Sequence, residues 1–149
     1  MLSRQDSRPM ASDLANALEV LGDRWALQVV ADLLDGPKRF GEIARSLPAI
    51  APNILTARLR QLERHGLLAA TPYSRRPARY AYTLTDTGRE LGDAIALLAA
   101  WGGRQSGGTG AEGAEPVHAT CGTPLEARLY CPTCERAADE SDADPVRWV

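Results

Sequence analysis

Four side chains in this sequence have the types and spacing of a metal site. His118-x2-Cys121 and Cys131-x2-Cys134 make two short turns separated by nine residues. Each such turn aims two donors at one point, and three thiols with one imidazole suit tetrahedral zinc. The same residues permit other chemistry, a redox pair at Cys131 and Cys134 with Cys121 left free. Too few apolar residues surround them to fold without a cross-link, which favours the metal. A zinc deaminase would need His-x-Glu and Pro-Cys-x-x-Cys; here Thr120 replaces the glutamate and Tyr130 precedes Cys131. Four protein ligands would also leave no open position for water, so the expected zinc is structural. No Ser/His/Asp set, phosphate loop or paired carboxylates are evident elsewhere, and no enzyme is expected.

A second group of residues has the makings of a nucleic-acid surface. In the stretch FGEIARSLPAIAPNILTARLRQLERHG (residues 40–66), Leu55, Leu59 and Leu62 fall on one side of a helix. Asn53, Thr56, Ala57, Arg60 and Arg64 fall on the other. A leucine-backed helix with a small, polar and cationic outer face suits the major groove. Charge supports this: residues 38–79 hold nine cations against Glu42 and Glu63, a net of +7, while the chain as a whole carries −2. From residue 105 onward the net is −5. A localised positive field on an otherwise acidic chain is the footprint expected of a polyanion binder.

The elements that must position these residues follow from periodicity. Residues 1–11 read as a loose arm. Ser12 is a candidate N-cap for a helix bearing Leu14, Leu18 and Leu21, closed by Gly22. Asp23 caps a second helix lined by Trp25, Val29 and Leu33, ended by Gly36-Pro37. Phe40, Ile43, Ala44 and Leu47 recur at helical spacing; Pro48 stops that helix, and Pro52 suits the first position of the next. His65 is expected to cap its end before Gly66. Residues 67–73 and 79–84 then change to strand period, and between them lies a cationic tip, Ser74-Arg75-Arg76-Pro77-Ala78. Thr85 caps a helix over residues 86–101, with Leu91, Ile95 and Leu98 on one stripe and Leu97 and Trp101 beside it. Gly88 and Gly92 weaken its first half, by up to about 1 kcal/mol each. Its apolar stripe, with Leu14 and Leu18, can be covered by the chain's own core or by a second subunit. The dimer is preferred, because it would set two recognition helices about 34 Å apart, one turn of DNA.

The expected fold is mainly α with a small β-hairpin wing (α+β), a winged helix-turn-helix over residues 12–102. A Gly-rich linker (103–116), a zinc-ribbon-like module (117–138) with its hairpin over residues 125–130, and an acidic tail (139–149) follow. No signal-peptide pattern or membrane-length apolar run is present, so the cytoplasm is the expected compartment.

Ala17-Leu18, Gly22, Arg24-Trp25, the run Leu33-Leu34-Asp35-Gly36-Pro37-Lys38-Arg39-Phe40-Gly41-Glu42-Ile43, then Leu55, Arg58-Leu59, Leu62-Glu63, Gly66-Leu67, Tyr82, Leu84-Thr85 and Gly88 resemble the HxlR-type winged helix-turn-helix regulators. The resemblance implies a homodimer on an inverted-repeat operator in double-stranded DNA, one helix per subunit in a major groove and a wing beside it. Carried onto this chain, it gives Pro52, Asn53, Thr56 and Arg60 to bases and backbone, and Arg75, Arg76 and Arg79 to the wing. Arg64 extends the cationic face. Arg58 lies beside the leucine stripe, where it can meet either a phosphate or a carboxylate; Arg39 and Glu63 are expected in surface ion pairs. Two departures stand out. Members that sense electrophiles or oxidants have a cysteine where this chain has Ser12, and Ala51 stands where the family often has a capping serine.

The function expected is that of a dimeric DNA-binding transcriptional regulator, a repressor, with an appended zinc ribbon. The signals envisaged are a small apolar ligand between the dimer helices, zinc loss, or oxidation of the cysteines. The rivals are a thiol- or zinc-based redox regulator acting through the tail, and a winged-helix adaptor that does not bind DNA.

Overall fold

The computed structural model describes residues 10–105, 117–125 and 128–138. The arm before residue 10, the linker from residue 106 and the acidic tail lie outside the described residues. The chain divides into two compact units, Asn16–Leu98 and the combination of Met1–Ala15 with Ala99–Val149.

The first unit is the body of a winged helix-turn-helix, whose first and last helices run on in sequence into the second unit. Helices α1 (Met10–Leu21) and α2 (Arg24–Leu34) precede strand β1 (Lys38–Arg39), then come α3 (Phe40–Ser46) and α4 (Pro52–Arg64). Strands β2 (Leu68–Arg75) and β3 (Ala78–Leu84) make the wing, and α5 (Asp86–Arg89) and α6 (Leu91–Gln105) close the sequence of helices. The sheet is antiparallel in the order β1-β3-β2. Its register pairs Leu68 with Leu84 at the core end and Arg75 with Ala78 at the tip, with an irregularity between Pro72 and Ser74.

One core unites these elements. Ala26, Val29, Val30 and Leu33 of α2, Ile43 of α3, Leu55, Leu59 and Leu62 of α4, and Leu67, Leu68 and Leu84 at the base of the wing are buried together. Ile50, buried in the α3–α4 turn, pins that turn to the same core. These are the positions that helical and strand periodicity selects, because one stripe or face of each element must leave water.

Local chemistry sets the boundaries. Asp23 accepts hydrogen bonds from the N–H groups of Trp25 and Ala26 at 2.7 and 3.0 Å, capping α2. At the end of α4, Leu67 N–H donates to Leu62 O and Gly66 N–H to Glu63 O, both at 2.9 Å. Gly66 there takes φ +70°, so α4 closes in a Schellman motif whose Leu62 and Leu67 are both buried. His65 stands at the C-cap position of α4, as its sequence neighbours indicate.

Several sequence expectations are corrected. Ser12 does not precede α1; it lies in the first turn, because Met10 and Ala11 extend the helix backwards. The helix expected over residues 86–101 is two, α5 and α6, broken at Glu90. Gly88 explains the short first piece: a Cβ there would lie 2.0 Å from Leu67 O, so α5 packs its backbone directly onto the chain leaving α4. The wing tip is tighter than expected, with strands running to Arg75 and Ala78 around Arg76-Pro77. In the second unit the short hairpin is not over residues 125–130. It is β4 (Tyr130–Cys131) paired with β5 (Arg136–Ala137), and the Cys-Pro-Thr-Cys turn joins them.

Candidate nucleic-acid interface

Helix α4 presents the outer face that its sequence requires. Leu55, Leu59 and Leu62 are buried, whereas Pro52, Asn53, Ala57, Arg60 and Arg64 are exposed. Pro52 occupies the first turn and Ala51 the N-cap position, with no side-chain cap. The Thr56 hydroxyl donates to Pro52 O at 2.9 Å, so its lone pairs and methyl group remain for an external partner.

The wing lies beside this helix. A groove of about 600 Å³ runs between α3, α4 and the wing, lined by Arg39, Arg45, Thr56, Tyr73, Arg79 and Tyr80 among others. A second hollow of about 370 Å³ brings Thr56 and Arg60 of α4 opposite Tyr80 and Tyr82 of β3. Thr56 and Arg60, one helical turn apart, therefore form the row that faces the wing. Arg79, Arg75 and Arg76 are all exposed on or at the tip of the wing. Burial, with a smaller effect of Glu63, raises the Tyr82 phenol above its ordinary range, so it stays a neutral donor in this wall.

Two cations here were not assigned to the interface from sequence. The Arg39 guanidinium lies 4.5 Å from the Tyr73 ring centroid, a cation–π contact rather than the ion pair expected. Arg45 donates from Nε to Gly41 O at 3.1 Å, which leaves the rest of its fork on the groove. Arg45 lies outside the apolar stripe of α3, and nothing local in the sequence signals that the wing comes alongside it.

Arg58, which the sequence leaves between a phosphate and a carboxylate and groups with the DNA-binding residues, takes the carboxylate. It forms an ion pair with Asp23 and donates to Gln61, and its side chain is only 21% exposed. Gln61 in turn donates to Val20 O at 3.3 Å. Asp23 thus caps α2 and receives a cation from the middle of α4, locking the start of α2 to that helix. Arg58 belongs to this lock and not to the outer face. On the far side of α2, Lys38 donates to Asp32 at 2.7 Å, a bond that raises the Lys38 pKa and fixes β1 to α2.

Of the residues expected to cover a dimer seam, Leu91 and Ile95 pack against the chain's own core. They are the inward edge of α6, so that part of the expectation fails. Leu14 and Leu18 on α1, and Leu97, Leu98 and Trp101 on α6, are each at least half exposed.

The second unit brings the cysteine-bearing residues together in pairs. His118 Nδ1 lies 3.2 Å from Cys121 Sγ. Cys131 and Cys134 share the β4–β5 turn, where the backbone N–H of Cys134 holds the Cys131 thiol below its ordinary range. Among the described residues no three such side chains are gathered in one place.

The sequence profile of a family described as "HxlR-like helix-turn-helix" matches residues 20–108. Rv3095 of Mycobacterium tuberculosis, an uncharacterized HTH-type transcriptional regulator, is 38% identical over 121 residues, 81% of this chain and 76% of that one. The solved structure of PA1374 from Pseudomonas aeruginosa superposes with a TM-score of 0.62 at 37% identity, covering 83% of this chain and 84% of that one. The reduced form of the transcriptional regulator YodB from B. subtilis gives a TM-score of 0.56 at 32% identity, over 64% of this chain and 94% of that one.

Proposed function

We propose that this chain, which belongs to the HxlR-like helix-turn-helix family of transcriptional regulators, works as a homodimer that represses by occupying an inverted-repeat operator. The observation that carries the reading is the polar and cationic row on α4, Thr56 and Arg60, set against a wing that carries Arg75, Arg76 and Arg79. Arg45 of α3 and Arg79 of the wing line one groove, and Arg60 of α4 lines a hollow that shares Thr56, Tyr80 and Tyr82 with it; cations so placed match the backbone of a duplex whose major groove receives α4. The arginines supply affinity through counterion release, and Asn53, Thr56 and Arg60 select sequence. A signal acts by changing the separation or tilt of two such helices, a shift between two states of the dimer. Such a regulator works where the DNA is, in the cytoplasm. No helix among the described residues is long and apolar enough to cross a membrane, which is compatible with that site.

The test is selection of bound duplexes from a random pool, with wild type and Arg60→Ala. The expected outcome is a two-fold-symmetric consensus whose preference relaxes at one position per half-site in the variant. Arg75→Ala with Arg76→Ala should leave the consensus intact and flatten the salt dependence by about two counterions per wing. An adaptor without DNA binding would return no enriched sequence at any ionic strength.

A further inference from the structure

We propose that His118, Cys121, Cys131 and Cys134 are the four ligands of one structural zinc ion per chain. The inference stands apart from the DNA-binding reading, since every residue it uses lies in the second unit.

What carries it is that the two ligand pairs sit in turns built on one plan. In each, the residue directly after the second ligand takes the left-handed conformation, Gly122 at φ 70° and Glu135 at φ 53°. In each, the flanking chain folds back on itself: Val117 pairs with Pro124, and Cys131 with Arg136. In the first, Cys121 Sγ also lies 3.2 Å from Thr123 Oγ1. The first turn is closed by Gly122 N–H to His118 O at 2.7 Å and His118 N–H to Thr123 O at 2.8 Å. A redox dithiol would account for the second turn but would leave the first, with its histidine, unexplained. Two matching turns are what a four-ligand tetrahedral centre needs.

The dimensions fit. His118 Nδ1 and Cys121 Sγ are 3.2 Å apart, close to the edge of roughly 3.5 Å expected for a tetrahedron with Zn–N near 2.0 Å and Zn–S near 2.3 Å. The segment also lacks other means of support. Val117, Leu125, Leu129 and Tyr130 are more than half exposed, and β4 and β5 are two residues each, far too little to hold a fold in water. A non-glycine residue such as Glu135 keeps a left-handed backbone only where its surroundings impose it. Among the described residues the two pairs are not gathered in this structure; a zinc ion held by both would draw the turns together, which the nine residues between Cys121 and Cys131 allow. On binding, the three thiols release their protons to solvent and His118 donates through a neutral ring nitrogen, so the centre carries three thiolates.

The experiment uses the full chain. Metal is quantified in freshly purified protein, then the chelated protein is titrated with Co²⁺ and followed by absorption. We expect one zinc per chain, and a cobalt spectrum of tetrahedral thiolate type that saturates at one equivalent. His118→Ala with Cys121→Ser, and separately Cys131→Ser with Cys134→Ser, should each weaken cobalt binding by at least about 100-fold. Helical circular dichroism and the thermal midpoint of the winged unit should stay at wild-type values, which separates ligand loss from misfolding. Retained affinity in either double variant would overturn the proposal. So would half an equivalent per chain, or a metal-free protein that oxidises Cys131 to Cys134.

Discussion

Two arginines on α4, Arg58 and Arg60, separate what a cation does inside a fold from what it does outside. They are two positions apart, so the helix turns them to different sides. Arg58 reaches Asp23, which is already committed to the N–H groups of Trp25 and Ala26. Removing it strands a half-buried carboxylate and frees Gln61 from one of its partners. Arg58→Ala should therefore cost about 1–2 kcal/mol of stability, read as a lower denaturant midpoint with unchanged slope. Specific DNA affinity in that variant, measured under conditions where it is fully folded, should change less than threefold. Arg60→Ala should do the reverse, leaving the midpoint within about 0.5 kcal/mol and weakening specific binding. A variant Arg58→Ala that is stable but loses DNA would return Arg58 to the interface. Its neighbourhood in sequence offered both partners, and only the packing of α2 against α4 decides between them.

At the scale of elements, most of what positions the interface is visible in the sequence, and the exceptions have one cause. Apolar periodicity and caps act within a few residues, so α2, α3, α4 and the wing strands follow from the order of Leu, Ile, Pro, Gly and Asp alone. Strand β1 is two residues long, and it exists because β3 offers it an edge, Lys38 opposite Tyr82. The break between α5 and α6 likewise comes from a contact with a distant segment. Gly88 and Gly92 look equivalent in sequence, each a weak point in a helix. The structure parts them: a Cβ on Gly88 would collide with Leu67 O at 2.0 Å, whereas one on Gly92 would meet Leu34 Cδ2 at 3.5 Å, an ordinary contact. Gly88→Ala should destabilise by about 1–3 kcal/mol, since backbone has to move and Thr85 N–H also relies on Leu67 O. Gly92→Ala should stabilise by about 0.5–1 kcal/mol through helix propensity and the denatured state. Thermal unfolding of the pair gives the sign directly, and a stabilised Gly88→Ala would show that the α5 contact is not tight.

For the whole molecule, the question is what covers the apolar side chains left exposed on α1 and α6. Leu97, Leu98 and Trp101 stand at least half exposed on α6, as do Leu14 and Leu18 on α1, while Leu91 and Ile95 turn inward to the core. Large apolar side chains exposed on terminal helices are what a two-fold interface would cover, each residue counting twice. Dimerisation would convert two modest half-site contacts into one event, because the second helix binds at a high effective concentration once the first is placed. Leu98→Glu with Trp101→Glu puts four carboxylates into such a seam and should yield a monomer by light scattering. Affinity for a duplex with two correctly spaced half-sites should fall by about 100-fold or more. Affinity for a single half-site should stay within about twofold, since α4 and the wing are untouched. A charged variant that remains dimeric would place the seam elsewhere. A monomer with undiminished affinity for the paired sites would mean that one subunit, with its own helix and wing, carries all of the recognition.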